Sequence, residues 1–259
     1  MSRRLMLTER RRKEIASLAQ KKYRTRLGQT IVEGIRAVAG AVDAGAPLLE
    51  VVVAHEAAGE TEVSMLLRKV SVPVHRVDAR TFGKLTDVAS PQGILAVVET
   101  RFVLPNAFRQ GRTILALDGV QDPGNLGALI RAGAWFGVDG VLLGAGCVDP
   151  FSPKVVRATM SALWAVDLAE ADDLATELRA LSAEGFRIYG AELTGTRADE
   201  WRPAFPSVLV LGSEGHGIRP EVQACVDENV TIPGGIRGGA SDSLNVATAG
   251  AVLLYQWTR

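Results

Sequence analysis

The stretch TILALDGVQDPGNLGALIRAGAWFGVDGVLLG, Thr113–Gly144, decides the fold class. Thr113–Asp118 is a short run of apolar and β-branched residues, the signature of a strand buried on both faces. QDPGN is turn chemistry. Asn125–Phe136 then predicts a helix, and Gly140–Leu143 a second buried strand. Strand, helix and strand at this spacing make a parallel unit with a crossover helix.

The same alternation continues downstream. Lys154–Leu163 and Asp172–Ala183 read as helices, the second with Asp172 as cap. Arg187–Glu192, Val208–Gly212 and Asn229–Ile232 read as strands, with a short helix at Glu221–Val226. Ser243–Trp257 reads as a mostly apolar final helix, expected to be buried. A parallel sheet covered on both faces follows, and ligands of such sheets gather beyond the strands' carboxyl ends.

Upstream lies a smaller α/β pattern. Residues 8–27 suit a polar helix with Thr8 as N-cap, and 31–44 place Ile31, Ile35, Val38 and Val42 on one helical face. Leu48–Val53, Val72–Val77 and Ile94–Glu99 read as strands, Glu62–Val70 as a helix, and Pro91–Gly93 as a turn. RFVLPNAFRQGR, 101–112, has no clear period, which predicts one domain over 1–108 and another over 109–259.

Composition sets the outer bounds. At 259 residues, 47% hydrophobic and 22% charged, the chain is globular. Aromatics are only 5%, too few for a serial base-stacking platform. No apolar run approaches the roughly 20 residues of a membrane helix. No apolar signal core follows the basic start, so a cytoplasmic location is expected. Cys147 and Cys225 are isolated, and His55, His75 and His216 have no metal-ligand spacing, so no metal site is expected.

Charge is unevenly spread. Residues 1–36 hold eleven Lys/Arg against three acids, or +8, and the remainder of this neutral chain carries −8. Arg10, Arg11, Arg12, Lys21, Lys22, Arg24 and Arg26 form the body of this arm. A basic arm on an acidic protein fits a polyanion such as a nucleic acid; a solvated basic helix fits the same residues.

Three segments carry chemistry. LDGVQDPGNLGALIRAGAWFG, Leu117–Gly137, puts Asn125 and Arg131 on neighbouring faces of a helix, though a plain strand–helix turn with a surface arginine also fits. LVLGSEGHGI, Leu209–Ile218, runs a strand into a loop with Gly212, Gly215 and Gly217 around Glu214, glycines that let backbone face a ligand; His216 reads as a loop surface residue. It is neither a Walker loop nor a dinucleotide fingerprint. VTIPGGIRGGASDSLNVATAGAVLL, Val230–Leu254, ends a strand at Ile232–Pro233, passes a glycine-rich stretch, and opens the last helix at Ser243 as N-cap candidate, with Leu244 and Asn245 in its first turn.

Together these segments resemble the motifs of the SpoU (TrmH-type) branch of the SPOUT methyltransferases. The residues that carry the likeness are Asn125–Gly127–Arg131, Gly212–Gly217, and Ile232–Pro233 with Ser243–Val246. VEG at Val32–Gly34 and SPQGILAVVE at Ser90–Glu99 resemble the small substrate-binding domain found in many members. The sequence departs from the pattern in a longer segment after Pro233, in Gly234 where Met is common, and in Ala247–Thr248.

The resemblance implies an α/β protein: a small N-terminal substrate-binding domain and a C-terminal parallel-sheet SPOUT domain with a trefoil knot. It implies a homodimer that transfers a methyl group from S-adenosylmethionine to a ribose 2′-hydroxyl, in ribosomal RNA ahead of transfer RNA. Backbone around Leu211, Gly212, Ile232, Pro233 and Leu244 would hold the cofactor. Asn125, Glu214, Ser243 and Asn245 would shape the site, and Arg131 would act on the hydroxyl. A sulfonium methyl is already activated, so this transfer calls for no metal. Arginine stays protonated, so stabilising a developing alkoxide or gripping a phosphate suits Arg131 better than proton abstraction. Two other readings are a non-catalytic RNA-binding or ribosome-assembly protein on this scaffold, and an α/β enzyme for a small anionic metabolite, which leaves the +8 arm unexplained.

Overall fold

The computed structural model describes residues 7–234 and 243–259. The chain divides into two compact units. One comprises 1–101 with 149–165, and the other 102–148 with 166–259. Among the described residues no helix is long and apolar enough to cross a membrane.

The first unit begins with α1 (Glu9–Ser17) and α2 (Lys21–Leu27). Then come β1 (Gln29–Glu33), α3 (Ile35–Asp43), β2 (Leu48–Ala54), α4 (Thr61–Lys69), β3 (Val74–Val77), α5 (Ala79–Phe82) and β4 (Ile94–Glu99). The four strands form one sheet in the order β1-β4-β2-β3, with only β2 and β3 parallel. Val51–Val53, Ile94–Val98, Val38, Val63 and Phe82 bury its core.

Two helices differ from the sequence reading. The expected helix over 8–27 is two helices. Thr8 does cap the first, accepting the Arg11 N–H. The helix stops at Leu18 because the Arg24 guanidinium takes the carbonyls of Leu18 and Ala19, both at 2.8 Å. Those are the orphan acceptors of a helix end. The expected helix over 31–44 starts only at Ile35. Ile31 and Val32 belong to β1, where they pair with Val97 and Ala96 of β4. Gly34, at φ 96°, turns the chain from strand to helix, and the Gln92 side-chain oxygen accepts the Ile35 N–H at 2.9 Å. Pairing along the sheet thus overrides a helical period that β1 only mimics.

The second unit carries β5 (Thr113–Asp118), α6 (Pro123–Phe136) and β6 (Gly140–Gly144). The chain then lends α7 (Pro153–Thr159) to the first unit. There the Thr30 hydroxyl bonds the Phe151 carbonyl at 2.7 Å, and Arg24 grips Asp149. The second unit resumes with β7 (Asp167–Ala171), α8 (Leu174–Ala183), β8 (Arg187–Arg197), β9 (Ser207–Gly212), α9 (Pro220–Gln223), β10 (Glu228–Thr231) and α10 (Val246–Trp257).

These six strands form an all-parallel sheet in the order β10-β8-β9-β5-β6-β7. Ile114, Ala116, Leu142, Val208 and Val210 pack with Leu174 and Leu178 of α8 on one face. On the other, α10 lies along α6. Gly250 permits that approach, since a Cβ there would collide with Leu129. Trp257 anchors the end of α10, donating its indole N–H to the Ser207 hydroxyl at 2.9 Å.

Four expectations shift here. The strand β7 was not foreseen, because DLAEA exposes Asp167 and Glu170 on an edge strand. Asp173, not Asp172, caps α8. Asn245, not Ser243, caps α10, so Ser243, Leu244 and Asn245 precede the helix. Finally, α10 buries only one face; Val252 and Tyr255 stay exposed. The glycine-rich segment after Gly234, residues 235–242, lies outside the described residues.

Candidate active site

The parallel sheet brings its strand ends to one rim: Asp118 of β5, Gly212 of β9 and Thr231 of β10. Three of the residues singled out from sequence, Asn125, Glu214 and Asn245, meet there. Asp122 caps α6, accepting the Asn125 N–H at 2.8 Å, and so places Asn125 in the first turn. The Asn125 side-chain amide donates to Glu214 Oε1 at 2.6 Å. Its side-chain oxygen accepts from Asn245 Nδ2 at 3.0 Å. Asn245 Oδ1 in turn accepts the Ala247 and Thr248 N–H groups at 3.0 and 3.2 Å. One chain of hydrogen bonds therefore joins all three motifs.

Glu214 is presented by a closed turn. Ser213 and Gly217 exchange backbone hydrogen bonds of 3.0 and 2.9 Å. A Cβ at Gly212 would collide with the Gly217 carbonyl and the Ile218 nitrogen, so this glycine is required by the loop's own return rather than by a ligand. Gly217 needs its freedom for φ 66°. Space around Gly215 is open.

Beneath the loop lies a pair that sequence reading missed. The Asp118 side chain has 0% exposure and is held by Arg219, whose Nε is 2.7 Å from Oδ1 and whose N–H is 2.8 Å from Oδ2. This hydrogen bonding raises the Arg219 pKa further. Burial pushes the neighbouring Cys147 thiol up as well, so it stays a thiol. Leu193, also missed, is 69% exposed in β8, where its carbonyl accepts the Thr231 hydroxyl at 3.0 Å. Its only signal in sequence is an apolar residue directly after the strand expected over Arg187–Glu192.

The other expected residues divide. Ile232 is half-buried, while Pro233, Ser243 and Leu244 are exposed, the last by 51%. Exposed Leu193 and Leu244 beside polar strand ends suit a ligand with an apolar face and hydrogen-bonding edges, as an adenosyl group has. Leu211 is different: its side chain is buried against α10, leaving only backbone for a ligand. Arg131 is exposed on α6 and makes no hydrogen bond or ion pair among the described residues, so it stands outside the Asn125–Glu214–Asn245 chain.

The basic arm divides too. Arg10, Lys21, Lys22 and Arg26 are exposed. Arg12 is half-buried and paired with Glu9. Arg11 is turned inward, 2.5 Å from Glu50 and 2.8 Å from Gln29, and Glu50 also holds His75 at 3.0 Å. Arg24 is only 5% exposed and sits 2.5 Å from Asp149. These two arginines pair with carboxylates inside the unit.

Comparison with known proteins agrees with this geometry. Residues 112–255 match the SpoU rRNA Methylase family, and residues 10–96 match the MRM3-like substrate binding domain. The chain is similar to the 23S rRNA (guanosine(2553)-2'-O)-methyltransferase RlmP of Bacillus subtilis, 29% identical over 94% of each chain. It is similar to the uncharacterized tRNA/rRNA methyltransferase Rv0881 of Mycobacterium tuberculosis, 35% identical over 74% of this chain and 68% of the other. Among solved structures, an AdoMet-bound rRNA methyltransferase from Sinorhizobium meliloti superposes with a TM-score of 0.84, at 29% identity over 98% of this chain and 97% of that one. With its three motifs joined at the rim of a parallel sheet, and with more than half its length matched, the chain belongs to the SpoU rRNA Methylase family.

Proposed function

We propose that this chain transfers a methyl group from S-adenosylmethionine to a ribose 2′-hydroxyl of ribosomal RNA. The observation that carries the reading is the hydrogen-bonded junction of Asn125, Glu214 and Asn245 at the strand ends. The family match and the similarity to a named ribosomal RNA 2′-O-methyltransferase support the substrate class.

The cofactor, when bound, supplies an electrophilic methyl. The backbone of Gly212 and Ile232, with Pro233, Leu244 and exposed Leu193 beside them, would hold it. Leu211 would contribute backbone only. Asn125, Glu214 and Asn245 fix one another and present a rigid polar wall, which keeps a ribose hydroxyl aligned without reorganisation at the moment of transfer. Ser243, two residues before Asn245, would add a hydroxyl to this wall. Arg131 offers a fixed positive charge, suited to a developing alkoxide or a neighbouring phosphate.

RNA would be gripped by residues 1–108 through Arg10, Arg12, Lys21, Lys22 and Arg26, while 109–259 carries transfer. The protein would work in the cytoplasm as a homodimer. Exposed apolar residues on the packed helices α6 and α10 support that assembly: Trp135 is 83% exposed, and Val252 and Tyr255 are exposed too, as residues of self-complementary interfaces are in a lone chain.

The test is single-turnover transfer from tritiated S-adenosylmethionine into ribosomal RNA by wild type and Arg131→Ala. Wild type should transfer, and the variant should lose about a hundredfold or more in rate with its RNA affinity kept. Absence of transfer by wild type would defeat the reading. A near-normal variant would defeat the role given to Arg131.

A further inference from the structure

We propose that Asp118 and Arg219 are positioning residues, which hold Glu214 in register with Asn125 and so keep the transfer site assembled. This rests on the methyltransferase reading above. Asp118 ends β5 directly opposite Gly212, the end of β9. Its carboxylate is wholly buried, a costly placement for an unpaired charge. Arg219 satisfies it from side chain and backbone together: Nε and Nη2 lie 2.7 Å from Oδ1, and its backbone N–H donates to Oδ2 at 2.8 Å.

Arg219 is the residue at which the loop after β9 returns to the body of the unit. That loop is fixed at one end by the sheet register of Gly212 and at the other by Asp118. Between them the Ser213–Gly217 bridge closes the turn, and Glu214 at its tip reaches Asn125 at 2.6 Å. From Asp118 the main chain also leads through 119–122 into α6 and Asn125. The result is a ring: Asp118, α6, Asn125, Glu214, the loop, Arg219 and Asp118 again. Cutting any link frees Glu214 to drift from Asn125. A drift of about an ångström at a transfer site costs roughly a hundredfold in rate.

A residue that merely supports the fold would behave differently from one acting through Glu214. Arg219→Lys keeps the charge but loses the fork that spans Nε and Nη2. In the full chain, hydrogen exchange at the Gly217 amide should quicken by about tenfold or more, while Leu115 and Val210 in the strand interiors stay protected. Single-turnover transfer should fall about ten- to a hundredfold with RNA affinity unchanged. In a Glu214→Ala background the same change should cost less than about threefold, because the acceptor it acts through is already lost. Unchanged exchange at Gly217 would overturn the proposal, and so would a full, additive loss in the double variant. A wild type that transfers no methyl would sink the enzyme reading instead, and the exchange measurement would still decide whether Arg219 holds the loop.

Discussion

Asn245 donates its side-chain amide to the side-chain oxygen of Asn125 at 3.0 Å, across 120 residues of sequence. Each residue has a second duty. Asn245 caps α10 with its oxygen, and Asn125 donates its own amide to Glu214. The two duties fix both amide orientations, since a flip of either would set oxygen against oxygen.

Asn245→Asp separates these duties. Aspartate is as good an N-cap as asparagine, so unfolding by urea should change by less than about 1 kcal/mol. The donor to Asn125 is gone, and transfer should fall about tenfold or more. Asn245→Ala loses the cap as well and should be destabilised by about 1 kcal/mol. Full activity in the aspartate variant would show that the Asn125–Asn245 bond is dispensable.

Gly212→Ala and Gly215→Ala make a matched pair in one loop. A methyl at 212 collides with the returning backbone at Gly217, whereas nothing stands near 215. The first should lose about 1–3 kcal/mol in urea unfolding, with cofactor binding falling alongside. The second should stay within about 0.5 kcal/mol. Equal effects at both positions would contradict the loop geometry described.

The basic arm should split by function. Arg24→Ala strands the Asp149 carboxylate and two helix-end carbonyls, and should cost about 3–5 kcal/mol of stability. The double change Lys21→Ala with Lys22→Ala should leave stability alone. It should weaken RNA binding and flatten the dependence of log K on log salt by up to about two units. Filter binding over a salt series, beside thermal unfolding of the same preparations, reads both.

Acid should act through Asp139. Burial alone would raise its carboxyl, but the N–H groups of Arg112 and Thr113 and the Thr113 hydroxyl bond it and bring it below its usual value. A carboxyl depressed on folding stabilises the fold above its unfolded pKa, and that stability is lost as pH falls through the folded value. Asp139→Asn should therefore be less stable than wild type at neutral pH. The gap should close as pH falls below the ordinary carboxylate range. A gap that persists unchanged to low pH would assign the stabilisation elsewhere.

The sheet of the second unit was legible because β5, β6 and β9 are buried on both faces, so their apolar runs need no partner to be recognised. The edge strand β7 was not, since its acids face outward. Ile31 misled because it falls in helical register with Ile35, Val38 and Val42, and only its pairing with β4 assigns it to a strand. The motif residues Asn125, Glu214 and Asn245 could be named from sequence, but not the bond that unites them. Arg24 looked like an RNA contact because its partner Asp149 lies 125 residues away. Arg219 gave no local sign, since its meaning comes from the buried end of β5.

The central claim is that the junction around Asn125 is a site of ribose methylation. The most direct measurement maps 2′-O-methyl groups across the ribosomal RNA of a strain lacking this gene, complemented with wild type or with Asn125→Ala. One ribose should lose its methyl on deletion, regain it with wild type, and stay bare with the variant. A methylation map unchanged by deletion, or fully restored by Asn125→Ala, would contradict the account.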